Sequence, residues 1–392
     1  MKKNEQIIGI PKEIDVNCRC VSMTPQMVKT LTGEGYSLIV QAKAGEKAFF
    51  WDDFYAAAGA KIVPDAESAY GGADIIIKIR PPRLNEQIGK HELELMKEGA
   101  TIFAFLTPTQ NRQIVEKLVE RKLTGFAMEL IPRLSRAQSM DALTSLGTVM
   151  GYRAAIIASN LLGKFFPLLM TPGGTIHPAN VLIVGAGVAG LQAIATCKRL
   201  GAKVEAFDTR PAVKEQVESL GAKFIEMELP KDIETKYGYA KEASPEFLAK
   251  EKEVIGSRLP RTDAVITTAL VYGRKAPRLI SEDMVSMMQP GSVIVDLAAE
   301  QGGNCELSEP GITAEKHGVI IYGCRDLPSQ LPLHTSLLYS RNAVNAYHNL
   351  YAAEDDTVDL TDEINANALA TYKGEIISEL VKNFFLNEGS QP

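Results

Sequence analysis

Residues Val181 to Gly190 read V-L-I-V-G-A-G-V-A-G, an apolar, largely β-branched run delivered into three glycines. The run predicts a buried strand, and the L-Q-A-I-A-T-C-K-R-L that follows keeps helical spacing. Each glycine has its own task in such a strand-to-helix turn. Gly185 permits the tight turn, Gly187 lets the backbone approach a pyrophosphate, and Gly190 lets helix and strand pack closely. The helix then aims its N-terminal amides and the positive end of its dipole at the phosphates. A bare G-x-G-x-x-G is weak, because most glycine-rich turns only redirect the chain. Here a second strand, K-V-E-A-F-D, ends in Asp208, at about the 20-residue spacing a dinucleotide fingerprint requires.

An aspartate at that strand end accepts hydrogen bonds from the adenosine ribose hydroxyls and repels a 2′-phosphate, so NAD(H) is expected over NADP(H). Arg210 argues the other way, since a nearby arginine accommodates that phosphate. The expected cofactor-binding set runs through Val184, Gly185, Ala186, Gly187, Val188, Ala189 and Gly190 to Asp208, Thr209 and Arg210. Thr268, Ala269 and Leu270, at the end of a later strand, join it. Between Met227 and Val254 no buried-strand pattern appears, and an irregular stretch of more than about 12–15 residues is usually functional or disordered. Tyr239, beside Gly238, reads as the tip of a lid over the nucleotide; the stretch reads equally as an exposed charged helix with a loop.

At 392 residues the chain has room for two or three domains, and 45% hydrophobic with 23% charged residues is ordinary for a soluble enzyme. A net charge of −6 argues against nucleic acid as a partner. The five cysteines, Cys18, Cys20, Cys197, Cys305 and Cys324, lack paired metal-ligand spacing. They read as reduced thiols of a cytosolic protein, and no metal is expected. The opening M-K-K-N-E-Q-I-I-G-I-P has no signal-peptide core. Ala154 to Met170, the most apolar stretch, is interrupted by Lys164 and flanked by Arg153, so no membrane insertion is expected.

Strand candidates in the first third are Ile7–Pro11, Ser37–Gln41, Ile75–Lys78, Thr101–Phe105 and Thr124–Glu129, with helical runs such as Pro25–Gly33 and Gln113–Arg121 between them. A second series follows at Val181–Gly185, Lys203–Asp208, Lys223–Ile225, Ala264–Thr268, Ser292–Leu297 and Val319–Gly323. Such alternation predicts parallel sheets with crossover helices. After Asp326 the pattern turns helical, and the acidic piece beyond Tyr351 has little room for a domain of its own. The expected architecture is α/β: two Rossmann-like doubly wound parallel-sheet domains linked by long crossover helices near 141–162 and 328–350, which floor a cleft. Residues 1–140 with 328–392 are expected to form a discontinuous N-terminal α/β domain, and 141–327 the NAD(H)-binding Rossmann domain.

Residues 133–152, R-L-S-R-A-Q-S-M-D-A-L-T-S-L-G-T-V-M-G-Y, closely resemble the NAD(H)-binding domain of proton-translocating NAD(P) transhydrogenases, at the N-terminal end of their alpha subunit. G-I-P-K-E at 9–13, K-E-Q-V-E-S-L-G-A-K-F, D-L-A-A-E-Q-G-G-N-C and D-L-P-S-Q-L-P are similar to further motifs of the family, so the resemblance extends over nearly the whole chain. Where the family more usually opens with G-E-R-R-V-A, this chain has N-C-R-C-V-S around Arg19. The resemblance implies direct hydride transfer between NAD(H) here and NADP(H) on a partner subunit, coupled to proton translocation through membrane-spanning subunits. It implies Arg133, Gln138 and Asp141 as the residues that shape the nicotinamide pocket, with Thr144 where the family commonly has serine. A homodimer, cytoplasmic and peripheral to the inner membrane through its partners, is implied in the same way.

Hydride transfer between two nicotinamides releases no proton at the reacting carbon, so no general acid or base is needed. What it requires is two rings held at near contact with water excluded. The five histidines, His91, His177, His317, His334 and His348, sit in no recognisable catalytic setting. Alanine dehydrogenase, an NAD-dependent amino-acid oxidoreductase, is the alternative with the same architecture, through G-I-P-K-E, Arg19 and Lys78. Its catalytic histidine is expected shortly after the strand at Thr101–Phe105, where this chain has F-L-T-P-T-Q-N. A non-catalytic NAD-binding module is a third reading, and turnover with a partner domain discriminates it.

Overall fold

Six parallel strands open the chain: β1 (Ile7–Ile10), β2 (Ser37–Gln41), β3 (Lys61–Val63), β4 (Ile75–Ile77), β5 (Thr101–Ala104) and β6 (Thr124–Ala127). They come from a computed structural model that describes residues 6–227, 245–270, 275–353 and 357–388. The strands lie in the order β3-β2-β1-β4-β5-β6, so the chain winds one way from β1 and then the other from β4. Every residue of β4, β5 and β6 is buried. That is why these strands read as continuous apolar runs: a parallel sheet is covered on both faces. Ile8, Ile75, Ile77, Phe103 and Phe126 face one core, and Ile76, Ile102 and Ala104 face the other.

The helix α1 (Ala142–Leu161) leads into a second sheet. Its members are β7 (Asn180–Val184), β8 (Lys203–Phe207), β9 (Lys223–Ile225), β10 (Ala264–Thr267), β11 (Val293–Asp296), β12 (Thr313–Lys316) and β13 (Val319–Gly323). Between β7 and β8 runs the helix α2 (Val188–Arg199). The order is β9-β8-β7-β10-β11-β13-β12, with β12 antiparallel to β13 and the other neighbours parallel. Chain direction across the sheet reverses between β7 and β10. Ligands of doubly wound sheets sit beyond the carboxyl ends of the strands at such a switch point.

The chain then forms the helix α3 (Pro332–Leu350) and two further strands, β14 (Leu369–Tyr372) and β15 (Glu375–Ile376). β14 pairs antiparallel with β6 and so adds an antiparallel edge to the parallel sheet. The helical reading after Asp326 holds in α3, and the two strands beyond it were not read from the sequence. Four residues are too few to show a strand period, and β14 is fixed by distant partners. The Thr371 hydroxyl donates to the Leu123 carbonyl (2.9 Å) and accepts from the Gly125 amide (3.1 Å).

By compactness the chain divides into one unit of Met1–Leu146 with Pro328–Pro392 and another of Gly147–Leu327. The five cysteines are free and buried. Among the described residues no helix is long and apolar enough to cross a membrane.

Candidate functional site

The three glycines of the β7–α2 turn do different things. Gly185 has φ +98°, a left-handed backbone that favours glycine. A Cβ on Gly190 would stand 1.9 Å from the Gly185 carbonyl oxygen, so helix and strand touch backbone to backbone. Gly187, the N-cap of α2, has an ordinary φ of −75° and no side-chain cap. A Cβ there would meet nothing nearer than Arg210 Nη2 at 3.9 Å, so neither backbone conformation nor packing calls for a glycine. What its missing side chain preserves is room beside the first amides of a 12-residue helix, bordered by the Arg210 guanidinium, a fit for an anionic group. Val184 and Ala186 are buried, Ala189 is half-buried and Val188 is exposed at 37%.

Asp208 follows β8, and its carboxylate, 7% exposed, accepts four hydrogen bonds. Oδ2 accepts from the Ala186 amide (2.7 Å) and Arg210 Nη2 (2.9 Å), while Oδ1 accepts from the Arg210 amide (2.8 Å) and Nε (2.9 Å). Burial raises the carboxyl, but the bonds from Arg210 and Ala186 outweigh it and hold it below its ordinary value. Asp208, Thr209, Lys214, Phe224 and Met227 line an adjoining pocket of about 160 Å³. Glu251, on the helix Pro245–Gly256, is pushed up to about 7 by burial and by the nearby charge of Asp208.

On the other side of the switch point the Thr268 hydroxyl donates to the Gly185 carbonyl at 3.0 Å. Ala269 is clamped by Asn304: its amide donates to Asn304 Oδ1 (3.0 Å) and its carbonyl accepts from Nδ2 (2.8 Å). Leu270 is exposed at 41%. Asp296, fully buried, accepts from the Thr267 hydroxyl, the Ala298 and Cys305 amides and the Ser308 hydroxyl. Sequence reasoning did not single out Asp296 or Asn304 as supports of this loop. The signal was there in D-L-A-A-E-Q-G-G-N-C, where Gly302 and Gly303 take φ of +100° and +80° and fold the segment back. Tyr239 lies outside the described residues.

The loop bearing Arg133, Gln138, Asp141 and Thr144 belongs to the first unit. A 3-10 turn at Ser135–Met140 buries Ala137 and Met140 and leaves Gln138 exposed, and Arg133, just before the turn, is exposed as well. The turn is pinned from α3, where Asn342 and Asn345 both donate to the Ser139 carbonyl (2.8 and 3.0 Å). Arg136 adds an ion pair to Asp362 at 2.7 Å. Asp141 and Thr144 bond to each other at the start of α1. Thr144 donates its amide to Oδ1 (2.8 Å) and its hydroxyl to Oδ2 (2.6 Å), the geometry of a helix N-cap.

Lys78, the residue shared with the dehydrogenase alternative, is sealed in. Its ammonium, 1% exposed, donates to Glu92 at 2.9 Å and lies 3.5 Å from Glu13. Glu92 also accepts from the Tyr70 hydroxyl (2.6 Å) and the Arg83 amide (3.0 Å). Burial lowers the Lys78 ammonium, but the two carboxylates outweigh it and hold it above its ordinary value.

Residues 9–150 match the family described as "Alanine dehydrogenase/PNT, N-terminal domain", and residues 154–379 match "Alanine dehydrogenase/PNT, C-terminal domain". The chain is 47% identical to the first of the numbered pieces of the NAD(P) transhydrogenase alpha subunit of Rhodospirillum rubrum, over 94% of this chain and 97% of that one. It is 30% identical to the alanine dehydrogenase of Staphylococcus haemolyticus, over 96% of each. Among solved structures it superposes on a transhydrogenase from Sinorhizobium meliloti with a TM-score of 0.84 and 39% identity, over 95% of this chain and all of that one.

Proposed function

The chain belongs to the alanine dehydrogenase/PNT family, among the NAD(P) transhydrogenase alpha subunits, and from that premise we propose that it binds NAD(H) at the β7–α2 turn and exchanges hydride with NADP(H) held by a partner subunit. The observation that carries the reading is the uncapped glycine turn at Gly187 beside a buried Asp208, at the switch point of the second sheet. The α2 amides hold the pyrophosphate, Asp208 receives the adenosine ribose, and the Thr268–Leu270 segment, braced by Asn304, lines the way to the nicotinamide. Bound NAD(H) supplies or accepts the hydride. Arg133 and Gln138, both exposed, are the residues that the resemblance to the family implies for the carboxamide and ribose. Asp141 holds the following helix start through Thr144. None of these residues has to move a proton, which suits a reaction whose reacting carbon exchanges only hydride.

In the complete complex the exchange is coupled to proton translocation by membrane-spanning subunits, with this chain on their cytoplasmic face as a homodimer. The Rhodospirillum rubrum relative, matched over 97% of its length, is named as one numbered piece of an alpha subunit, which supports partner subunits in the complete enzyme.

The test is a hydride-transfer assay with the purified chain, with and without a transhydrogenase NADP(H)-binding domain. Rapid transfer is expected only with the partner, and alanine-dependent NAD reduction by the chain alone would overturn the reading. The contact need not be tight, because transient hydride-transfer complexes bury little surface.

A further inference from the structure

The carboxylate of Asp208 already has its full complement of donors. Two carboxylate oxygens offer about four acceptor positions. Ala186 supplies one donor and Arg210 three, at 2.7–2.9 Å. A ribose hydroxyl reaches Asp208 only if one of these donors withdraws. The two amides are fixed by the turns that carry them, whereas the Arg210 guanidinium is a side chain, 40% exposed. Its Nη2 also stands 3.9 Å from where a Gly187 side chain would begin, so the guanidinium lies over the glycine turn itself.

We propose that Arg210 is a displaceable counter-ion that occupies the ribose position until NAD(H) replaces it, and that Asp208 thereby withholds from NADP(H) an arginine otherwise able to receive its 2′-phosphate. This rests on the NAD(H) reading of the site. Discrimination then has two components. The carboxylate repels the phosphate, and its two-pronged grip on the guanidinium withholds a cation that stands beside it. Removing the charge of Asp208 reverses both at once. An asparagine keeps a carbonyl for the Ala186 amide but no longer binds the fork of Arg210.

The experiment measures NADH and NADPH dissociation constants for the full chain, for Asp208→Asn and for Asp208→Asn with Arg210→Gln. Asp208→Asn should weaken NADH roughly tenfold and strengthen NADPH by a similar factor, the scale of one charged hydrogen bond. Adding Arg210→Gln should erase the NADPH gain. A gain that survives the second substitution, or no gain in Asp208→Asn, overturns the proposal while leaving NAD(H) binding intact. Failure of the wild-type chain to bind NADH overturns the functional reading itself. A readout on the wild-type chain does not depend on the variants folding. The Arg210 Nε–H resonance should be protected from exchange in the free chain and lose protection when NADH is added. Protection that persists with saturating NADH overturns the displacement.

Discussion

Lys78 and Glu92 meet at 2.9 Å with both side chains 1% exposed, an ion pair shut inside the first unit at the end of β4. Glu13, brought alongside by the turn after β1, makes the cluster a lysine between two carboxylates, and burial pushes Glu13 above its ordinary value despite Lys78. Breaking a buried pair by removing one partner strands the other, at a cost of about 3–5 kcal/mol. Lys78→Met should therefore lower stability by that amount in urea titrations, through two unpaired glutamates. Loss of turnover with unchanged stability would instead mark Lys78 as a contact to substrate.

Gln138→Asn should slow hydride transfer, measured with the NADP(H)-binding partner, by one to two orders of magnitude. Shortening the side chain by one methylene displaces its amide by about 1 Å, and misplacement on that scale costs roughly a hundredfold. The NADH dissociation constant should stay within about threefold, because the backbone of the Gly187 turn is untouched. An affinity loss equal to the rate loss would make Gln138 a ground-state contact.

Gly190→Ala should disrupt the nucleotide turn itself. The new methyl would fall 1.9 Å from the Gly185 carbonyl oxygen and 3.2 Å from the Thr268 hydroxyl, and backbone cannot yield as a side chain does. A loss of about 1–3 kcal/mol is expected from overpacking, seen as a lower melting temperature, together with loss of NADH binding. Gly187→Ala should keep the melting temperature and lose affinity alone, since its Cβ meets only the end of the Arg210 side chain, at an ordinary contact distance of 3.9 Å.

Glu129 gives the stability curve a definite slope. Burial pushes its carboxyl up to about 7, against the amides of Thr107 and Leu106 that pull it down. The folded chain keeps a proton that the unfolded chain releases near its ordinary 4.5, so stability falls as pH rises from about 4.5 to about 7 and levels off above. The full swing is on the order of 3 kcal/mol. Glu129→Gln should make the fall across that window shallower, leaving the share of Glu251, and an unchanged slope would show that Glu129 is ionised throughout.

The parallel strands were legible because they are buried on both faces: V-L-I-V at β7, I-I-I at β4 and T-I-F-A at β5 carry their environment in their composition. The glycine turn was legible for a related reason, since only glycine tolerates both the φ of Gly185 and the contact at Gly190. What stayed hidden depends on partners far away in the chain. Lys78 in I-I-I-K-I reads as a strand end, and nothing local shows that Glu13 and Glu92 enclose it. Asp208 was visible as an acceptor, but its capture by Arg210 is a matter of side-chain rotamer. β14 exists because Thr371 reaches Leu123 and Gly125 across some 250 residues of sequence, and no local period records that.

The anchoring of the Ser139 carbonyl by Asn342 and Asn345 has a consequence for the order in which the protein is made. Synthesis runs from the N-terminus at about 5–20 residues per second, so these anchors leave the ribosome tens of seconds after the turn they hold, at the slower rates. All seven strands of the second sheet emerge before either asparagine. The unit begun first is thus finished last, and a nascent chain arrested before α3 carries a complete glycine turn while its Arg133–Asp141 loop still lacks both anchors.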